Sequence, residues 1–198
     1  MALNPAPGIL LNVPWRVHAV LPRSKANGPG LRYTIWSQGC TLACPGCFNP
    51  GTHQAGGPQQ QRLTGELAAA ALAEPGIEGV TLTGGEPLEQ PAAIAAFCAQ
   101  IKARSDLGVI ILTGFSRGEV AADAGRSAAV AAADMVIAGR YNARRHLGSG
   151  LRGSDNKVYW ARTDRYRPED FAAVPDVEIT VAPDGMITMT GLPVGRLR

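Results

Sequence analysis

The chain has 198 residues, enough for one domain with its own hydrophobic core but not for two large domains. With 45% hydrophobic and 18% charged residues, the composition predicts a folded globular protein and excludes intrinsic disorder. The net charge of +3 is too small to indicate nucleic-acid binding, and no apolar run approaches the roughly 20 residues that span a bilayer.

The N-terminal segment lacks the basic and apolar regions of a secretory signal peptide, so we expect a soluble cytoplasmic protein without a membrane partner. Thiols stay reduced in that compartment. Three of the four cysteines lie within eight residues of one another. In a cytoplasmic protein, such a cluster indicates metal binding or catalysis rather than disulfide bonds.

The predicted elements alternate between short apolar strands and helices. Residues 9–20 could form an edge strand, because Pro14 cannot donate a backbone hydrogen bond. Residues 49–61 are rich in Gly, Pro and Gln, which predicts an exposed loop. The remaining predictions are, in chain order, a strand at 31–36, a helix at 64–74, a strand at 79–83, a helix at 91–104, a strand at 109–112, a helix at 117–133 broken at Gly125, a strand at 134–138, a basic loop at 139–157 and a β-hairpin of 177–181 with 186–190.

This alternation predicts an α/β fold with a parallel sheet. We expect a single domain over residues 1–198, with a core at about 28–157 and a C-terminal extension at 158–198. Ligands of such sheets bind at the carboxyl ends of the strands. The cysteine cluster, the segment Gly84-Gly85-Glu86-Pro87 and the segment Leu112-Thr113-Gly114 each follow a predicted strand, so we expect them to meet at that edge.

Cys40, Cys44 and Cys47 are spaced C-x3-C-x2-C. Thiolates are soft ligands that suit iron–sulfur clusters or zinc. Three thiolates around a [4Fe–4S] cluster leave one iron open to a substrate or cofactor, as catalytic zinc sites also keep one position open. The alternative is a zinc knuckle with His53 or Cys98 as the fourth ligand, although Cys98 lies on the apolar face of a predicted helix and is expected in the core.

Further motifs accompany the cysteine cluster. They are Gly28-Pro29-Gly30-Leu31-Arg32, Gln38-Gly39-Cys40, Cys44-Pro45-Gly46-Cys47-Phe48-Asn49-Pro50, Thr81 to Pro87 (TLTGGEP), Leu112-Thr113-Gly114-Phe115, Asp134 to Tyr141 and Arg152-Gly153-Ser154-Asp155-Asn156-Lys157. Together they resemble the radical S-adenosylmethionine (SAM) superfamily, and within it the activating enzymes of anaerobic ribonucleoside-triphosphate reductases. The resemblance covers roughly residues 28–157 and implies a partial, open (β/α) barrel of about six strands.

The resemblance implies a [4Fe–4S] cluster and SAM as cofactors. Cys40, Cys44 and Cys47 would hold the cluster, and SAM would bind its open iron through amino and carboxylate groups. The reduced cluster would then cleave SAM to a 5′-deoxyadenosyl radical that abstracts a hydrogen atom. The protein supplies binding and orientation for this chemistry.

The resemblance also implies contacts with SAM. Gly84, Gly85 and Glu86 would line its methionine end. Thr113 and Gly114 would contact its methionyl or ribose part, or simply end the strand. Phe48 would pack on adenine or form a hydrophobic lid over the cluster, and Asn156 would bond SAM or its own loop.

The implied substrate is a glycine on a partner enzyme, above all an anaerobic ribonucleotide reductase, with electrons from a flavodoxin or ferredoxin. No glycyl-radical motif occurs near the C-terminus of this chain, which places the target glycine on another protein. The alternatives are a radical SAM enzyme that modifies a peptide or small metabolite, and a zinc- or cluster-bearing binding module without catalysis.

Two features leave questions open. The related enzymes tend to place an aspartate at the end of the strand 134–138, where this chain has Ala138, which casts doubt on any cation site there. The basic loop, residues 140–152, would dock a partner or an anionic group, or be a solvated surface. Its basic side chains are Arg140, Arg144, Arg145, His146 and Arg152.

Overall fold

The computed structural model describes residues 12–54 and 60–191, and all structural statements below concern these residues. Within them, no helix is both long and apolar enough to cross a membrane. The strands are β1 (Pro14–Ser24), β2 (Arg32–Ser37), β3 (Gln60–Leu63), β4 (Gly79–Gly84), β5 (Gly108–Thr113), β6 (Met135–Ala138), β7 (His146–Leu147), β8 (Gly153–Ser154), β9 (Val158–Ala161), β10 (Val177–Val181) and β11 (Ile187–Gly191).

The helices are α1 (Thr64–Ala73), α2 (Pro91–Arg104), α3 (Arg117–Ala121) and α4 (Ala124–Ala129). Each of the two longer helices begins where the sequence predicts. Helix α2 has Pro91 at its first position, where the missing N–H costs no intrahelical bond, and carries two basic residues in its last turn. Helix α1 ends just before Pro75-Gly76, which cannot continue it.

The α/β class is confirmed, and the main sheet has seven strands in the order β3-β1-β2-β4-β5-β6-β9. Four central strands, β2, β4, β5 and β6, are parallel. The strands β1, β3 and β9 run antiparallel to their neighbours. The predicted C-terminal hairpin is also confirmed, because β10 pairs with β11 in a separate two-stranded sheet.

Both faces of the central sheet are covered, as the continuous apolar runs of its strands predict. In β5, Val109 and Ile111 pack in the core beneath the helices, together with Phe97 of α2. The alternate residue Ile110 belongs to a second cluster on the opposite face, which the segment around Phe171 covers. This period-two alternation places successive side chains on opposite faces of the sheet. The parallel direction of the four central strands brings their carboxyl ends to one edge.

Three predictions about elements are correct in part and wrong in detail. The strand expected at 9–20 is β1, an internal strand between β3 and β2, and Pro14 is tolerated because it is the first strand residue. The loop expected at 49–61 ends earlier, since β3 begins at Gln60, while residues 55–59 lie outside the described part. The helix expected at 117–133 breaks before Gly125, where the Asp123 side chain caps α4 by accepting from the Arg126 N–H.

The amino end of the parallel sheet is held by buried polar groups. Asp134 accepts hydrogen bonds from Lys102 Nζ at 2.6 Å, from the Val109 N–H at 2.7 Å and from Thr163 Oγ1 at 2.9 Å. Burial alone would raise the pKa of the Asp134 carboxyl, but these three donors outweigh it and the pKa is lowered. Asp134 is therefore a structural residue at the end of the sheet opposite the predicted site.

We predict that Asp134→Asn destabilises the fold by about 1 to 2 kcal/mol at neutral pH, because it removes the ion pair with Lys102 and misplaces one donor. Since the pKa is lowered in the folded state, this stabilisation is present above the ordinary carboxyl pKa of about 3.9 and is lost as the pH falls below it. Urea unfolding at neutral and acidic pH measures both effects. Asp123→Asn is the matched control, since asparagine caps helices as well as aspartate. An equal loss in the free energy of unfolding in both variants would contradict the structural role assigned to Asp134.

Candidate functional site

The carboxyl ends of the parallel strands meet as the sequence predicts. In the register of the sheet, Ser37 lies beside Gly84, and Thr113 lies beside Ala138. A cavity of about 560 Å³ opens at this edge. Nine of the ten predicted site residues line the cavity: Cys40, Cys44, Cys47, Phe48, Gly84, Gly85, Glu86, Thr113 and Gly114.

The cysteine loop is anchored by backbone hydrogen bonds at its start. The Cys40 N–H donates to the His53 carbonyl at 3.2 Å, which closes a loop of fourteen residues. The buried side chain of Gln38 accepts from His18 Nδ1 through its Oε1 at 2.8 Å and donates through its Nε2 to the Gln54 carbonyl at 2.6 Å. Ala43 adopts a left-handed conformation with φ of 46°, an unfavourable conformation for alanine. These contacts and the left-handed conformation of Ala43 shape a loop whose three cysteines line one cavity.

Gly84 and Gly85 allow the cysteine loop and the end of β4 to approach closely. Gly84 has φ of +102°, and a Cβ there would lie 2.5 Å from the Ser37 nitrogen. A Cβ on Gly85 would collide with the Gly39 carbonyl oxygen. The glycine pair is thus required by backbone packing at the floor of the site, and it leaves the cavity side free for a ligand.

The Glu86 carboxylate links two strand ends. It is 1% exposed and accepts from the Leu88 N–H at 2.9 Å, from Thr113 Oγ1 at 2.7 Å and from the Gly114 N–H at 2.7 Å. Burial raises the pKa of the Glu86 carboxyl, and the three donors oppose that shift. Glu86 therefore holds the loop after β4 against the end of β5.

Arg140 of the basic loop is engaged rather than free. It donates to the Gly114 carbonyl and pairs with Glu119 at 2.8 Å. Arg145 pairs with Asp155 at 2.5 Å, and Arg152 lies over the Tyr159 ring at 5.2 Å. The ion pairs of Arg140 and Arg145 reduce the capacity of these two side chains to dock anions.

Phe48 belongs to an aromatic cluster at the cavity wall. Its ring centroid lies 4.6 Å from that of Tyr141 and 5.5 Å from that of His146.

The tenth predicted residue, Asn156, donates to the Arg140 carbonyl at 2.9 Å and so bonds its own loop. Its buried Oδ1 has no hydrogen-bond partner among the described residues, and Asn156 is not one of the residues that line the cavity.

The thiols differ in environment. Cys40, Cys44 and Cys47 are partly exposed at the cavity, while Cys98 is buried in the core beneath the sheet. Burial, with smaller contributions from the carboxylates of Glu86 and Glu89, raises the pKa of the Cys40 thiol to about 11. The ligand interpretation with Cys98 is excluded by this placement, because a side chain packed in the core cannot reach the cavity.

Within residues 12–54 and 60–191, no three His, Cys, Asp or Glu side chains lie close enough together to hold one metal ion. A cubane cluster is bound at separate corners, so its thiolates stand further apart than the ligands of a single ion. The Nε2 of His53 and the Nε of Arg152 are buried and have no hydrogen-bond partner in the part of the chain that the structure describes. Together with the three cavity-lining thiols, they fit a larger group with polar atoms. The donor set therefore suits an iron–sulfur cluster with a polar ligand beside it.

Sequence reasoning missed Lys157. Its side chain lines the cavity, where burial lowers the pKa of the ammonium and the charges of Glu86, Cys44 and Cys47 oppose that shift. The residue stands at the end of a motif singled out above, but nothing in the spacing indicates that its charge faces the thiols. Its position follows from the antiparallel strand β9, which begins at the next residue beside Ala138.

Comparisons with known proteins agree with this geometry. The family described as "4Fe-4S single cluster domain" matches residues 26–160, which include the cysteine loop and the carboxyl ends of the four parallel strands. The anaerobic ribonucleoside-triphosphate reductase-activating protein of Enterobacteria phage T4 is 31% identical over 149 residues, covering 73% of this chain and 93% of that protein.

Two further proteins are similar to this chain over a smaller share of its length. The pyruvate formate-lyase-activating enzyme of Staphylococcus epidermidis is 36% identical over 92 residues, which span 44% of this chain and 37% of that enzyme. Among solved structures, a crystal structure of QueE from Escherichia coli has a TM-score of 0.43 and 14% identity, covering 52% of this chain and 53% of that chain. The match to the phage protein spans nearly all of that relative and carries the family assignment.

Proposed function

Because this chain belongs to the 4Fe-4S single cluster family of radical SAM activases, we propose that it activates an anaerobic ribonucleotide reductase by abstracting a hydrogen atom from a glycine of that partner. The relatives named above are activating proteins of glycyl radical enzymes. A cluster and SAM are the cofactors of this family. When bound and reduced, they supply the electron that cleaves SAM and the radical that removes the hydrogen atom.

In this proposal, Cys40, Cys44 and Cys47 hold the cluster and leave one iron without a protein ligand. The backbone of Gly84 and Gly85 forms the floor beside it, and Glu86 maintains that floor through its three hydrogen bonds. These residues orient the ligand but take no proton from it.

The aromatic cluster of Phe48, Tyr141 and His146 excludes water on the side of the basic loop. His53 lines the cavity, and its buried Nε2, which has no hydrogen-bond partner among the described residues, offers a polar atom to the ligand. Thr113 and Gly114 line the cavity and also hold Glu86 in position, since both donate hydrogen bonds to its carboxylate.

Flavodoxin or ferredoxin is the proposed electron donor, and the cytoplasm is the proposed location.

One observation carries this proposal: three thiols line one cavity with the glycine-rich strand ends, in a chain that matches an activating protein over 93% of that relative's length. The alternative of a peptide- or metabolite-modifying enzyme is not favoured, because the named relatives are activating proteins.

The test is anaerobic reconstitution with iron and sulfide, followed by SAM, dithionite and the anaerobic ribonucleoside-triphosphate reductase of the source organism. We expect 5′-deoxyadenosine and a glycyl radical signal on the reductase, seen by electron paramagnetic resonance. Reductase deuterated at glycine should transfer deuterium into 5′-deoxyadenosine. Formation of 5′-deoxyadenosine without any radical or deuterium transfer would refute the assigned substrate and leave SAM cleavage intact.

Lys157 gives a separate prediction. Its positive charge faces Cys44 and Cys47, so it should favour the more negative, reduced form of a cluster held there. We expect Lys157→Met to lower the reduction potential by on the order of 50 mV. Redox titration followed by electron paramagnetic resonance measures this shift. Arg104→Met, at the far end of α2, should leave the potential unchanged, and a Lys157→Met variant with the wild-type potential would disprove the role.

A further inference from the structure

The C-terminal hairpin turns its apolar side to solvent. Ile179 of β10 pairs with Met189 of β11, and Val181 pairs with Ile187, so these four side chains share one face. The exposed fractions are 63% for Ile179, 66% for Val181, 68% for Ile187 and 49% for Met189. We call this set, Ile179, Val181, Ile187 and Met189, the apolar hairpin face.

The opposite face of the hairpin is polar and is attached to the domain. Glu178 accepts from Ser24 Oγ at 2.6 Å and from the Lys25 N–H at 2.9 Å. Its cross-strand partner Thr190 accepts from Asn27 Nδ2 at 2.9 Å. The hairpin is thus held with its polar side inward, an inversion of the usual arrangement for a sheet that covers a core.

Such an inversion costs free energy unless a partner covers the apolar side. Scattered single exposed hydrophobic residues are normal, whereas neighbouring exposed apolar side chains that share one face point to an interaction surface. Four partly exposed side chains cannot by themselves supply the roughly 800 Å² that each partner contributes to a stable interface. The apolar hairpin face is therefore suited to one part of a larger contact rather than to a stable dimer of this chain by itself.

The position of the hairpin connects this patch to the active cavity. Residues 188–191 of β11 line the cavity, together with the cysteine loop and the end of β4. A protein that inserts a glycine into this cavity comes close to the elements that line it, and β11 is one of them. A second copy bound symmetrically on the same patch would lie across the rim that the substrate protein needs.

We propose that the apolar hairpin face docks the glycyl radical enzyme, against an apolar surface that flanks the loop carrying its target glycine. This inference rests on the proposed function. The polar attachment through Glu178 and Thr190 holds the face toward the incoming partner. The contact raises the occupancy of the glycine at the cavity but contributes nothing to the cleavage of SAM.

The experiment compares the reconstituted wild type with Ile179→Ser/Ile187→Ser. Exposed apolar-to-polar changes alter stability little, so the variant should fold. Val158→Ser, another exposed apolar residue outside the hairpin, is the matched control. Two rates are measured: formation of 5′-deoxyadenosine from SAM with dithionite alone, and radical formation on the anaerobic ribonucleoside-triphosphate reductase of the source organism as its concentration is varied.

We expect the double variant to cleave SAM alone within twofold of the wild type, while the KM for the reductase rises at least tenfold and kcat at saturation is retained. An unchanged KM, with radical formation by the wild type intact, would overturn the docking site and leave the proposed function standing. A wild type that cleaves SAM but forms no radical on the reductase would overturn both. A wild-type dimer that the double variant converts to monomers would assign the face to a second copy and also overturn the proposal.

Discussion

Cys44→Ala is expected to abolish both the visible absorbance of the reconstituted cluster and the cleavage of SAM to 5′-deoxyadenosine. Cys44 lines the cavity with Cys40 and Cys47, and each of the three would supply one thiolate. With only two protein ligands, the cluster has a second open iron and is lost or degraded on reconstitution. Iron and sulfide content, the absorbance spectrum and product formation under dithionite measure the loss.

Cys98→Ala is the matched control, because Cys98 is fully buried in the core away from the cavity. Removing its sulfur leaves a small void, with a cost of about 1 kcal/mol in stability and no effect on cluster content. Retention of a four-iron cluster and SAM cleavage in Cys44→Ala would show that the ligand set is wrong. Loss of the cluster in Cys98→Ala as well would show a folding effect instead.

The parts of the fold that sequence predicts are those set by local patterns. The apolar periodicity and Pro91 at the first position define α2 within its observed bounds, Pro91–Arg104, and Pro183-Asp184-Gly185 marks the hairpin turn. The neighbour order of the strands is a long-range property. Nothing in the sequence of β1 shows that β3 pairs with it, since that pairing joins residues more than 40 positions apart.

The same division applies to the site. The motifs place Gly84, Gly85 and Thr113 at the cavity, because parallel strands must end at one edge. They do not show that Lys157 faces the thiols or that Arg140 is paired with Glu119, since both depend on how one loop folds back. Glu86 is an intermediate case. Its place is predicted, but its three donors are visible only in the structure.

Those donors make Glu86→Gln the second large effect. The carboxylate accepts three hydrogen bonds, from Leu88, Thr113 and Gly114, and an amide of the same shape can accept on one atom only. Its NH₂ group must then face at least one buried donor. Because the site is 1% exposed, water cannot compensate, and we expect a loss of about 2 to 4 kcal/mol in the free energy of unfolding.

Urea unfolding of the protein without cofactors measures this loss as a lower midpoint at unchanged slope. Glu66→Gln, an exposed change of the same kind on α1, should stay within about 0.5 kcal/mol of the wild type. If Glu86 served only to contact SAM, its variant would bind SAM weakly yet unfold like the wild type. A large loss of stability without cofactors instead means that the GGEP segment acts first on the protein, by joining the strand ends on which any ligand rests.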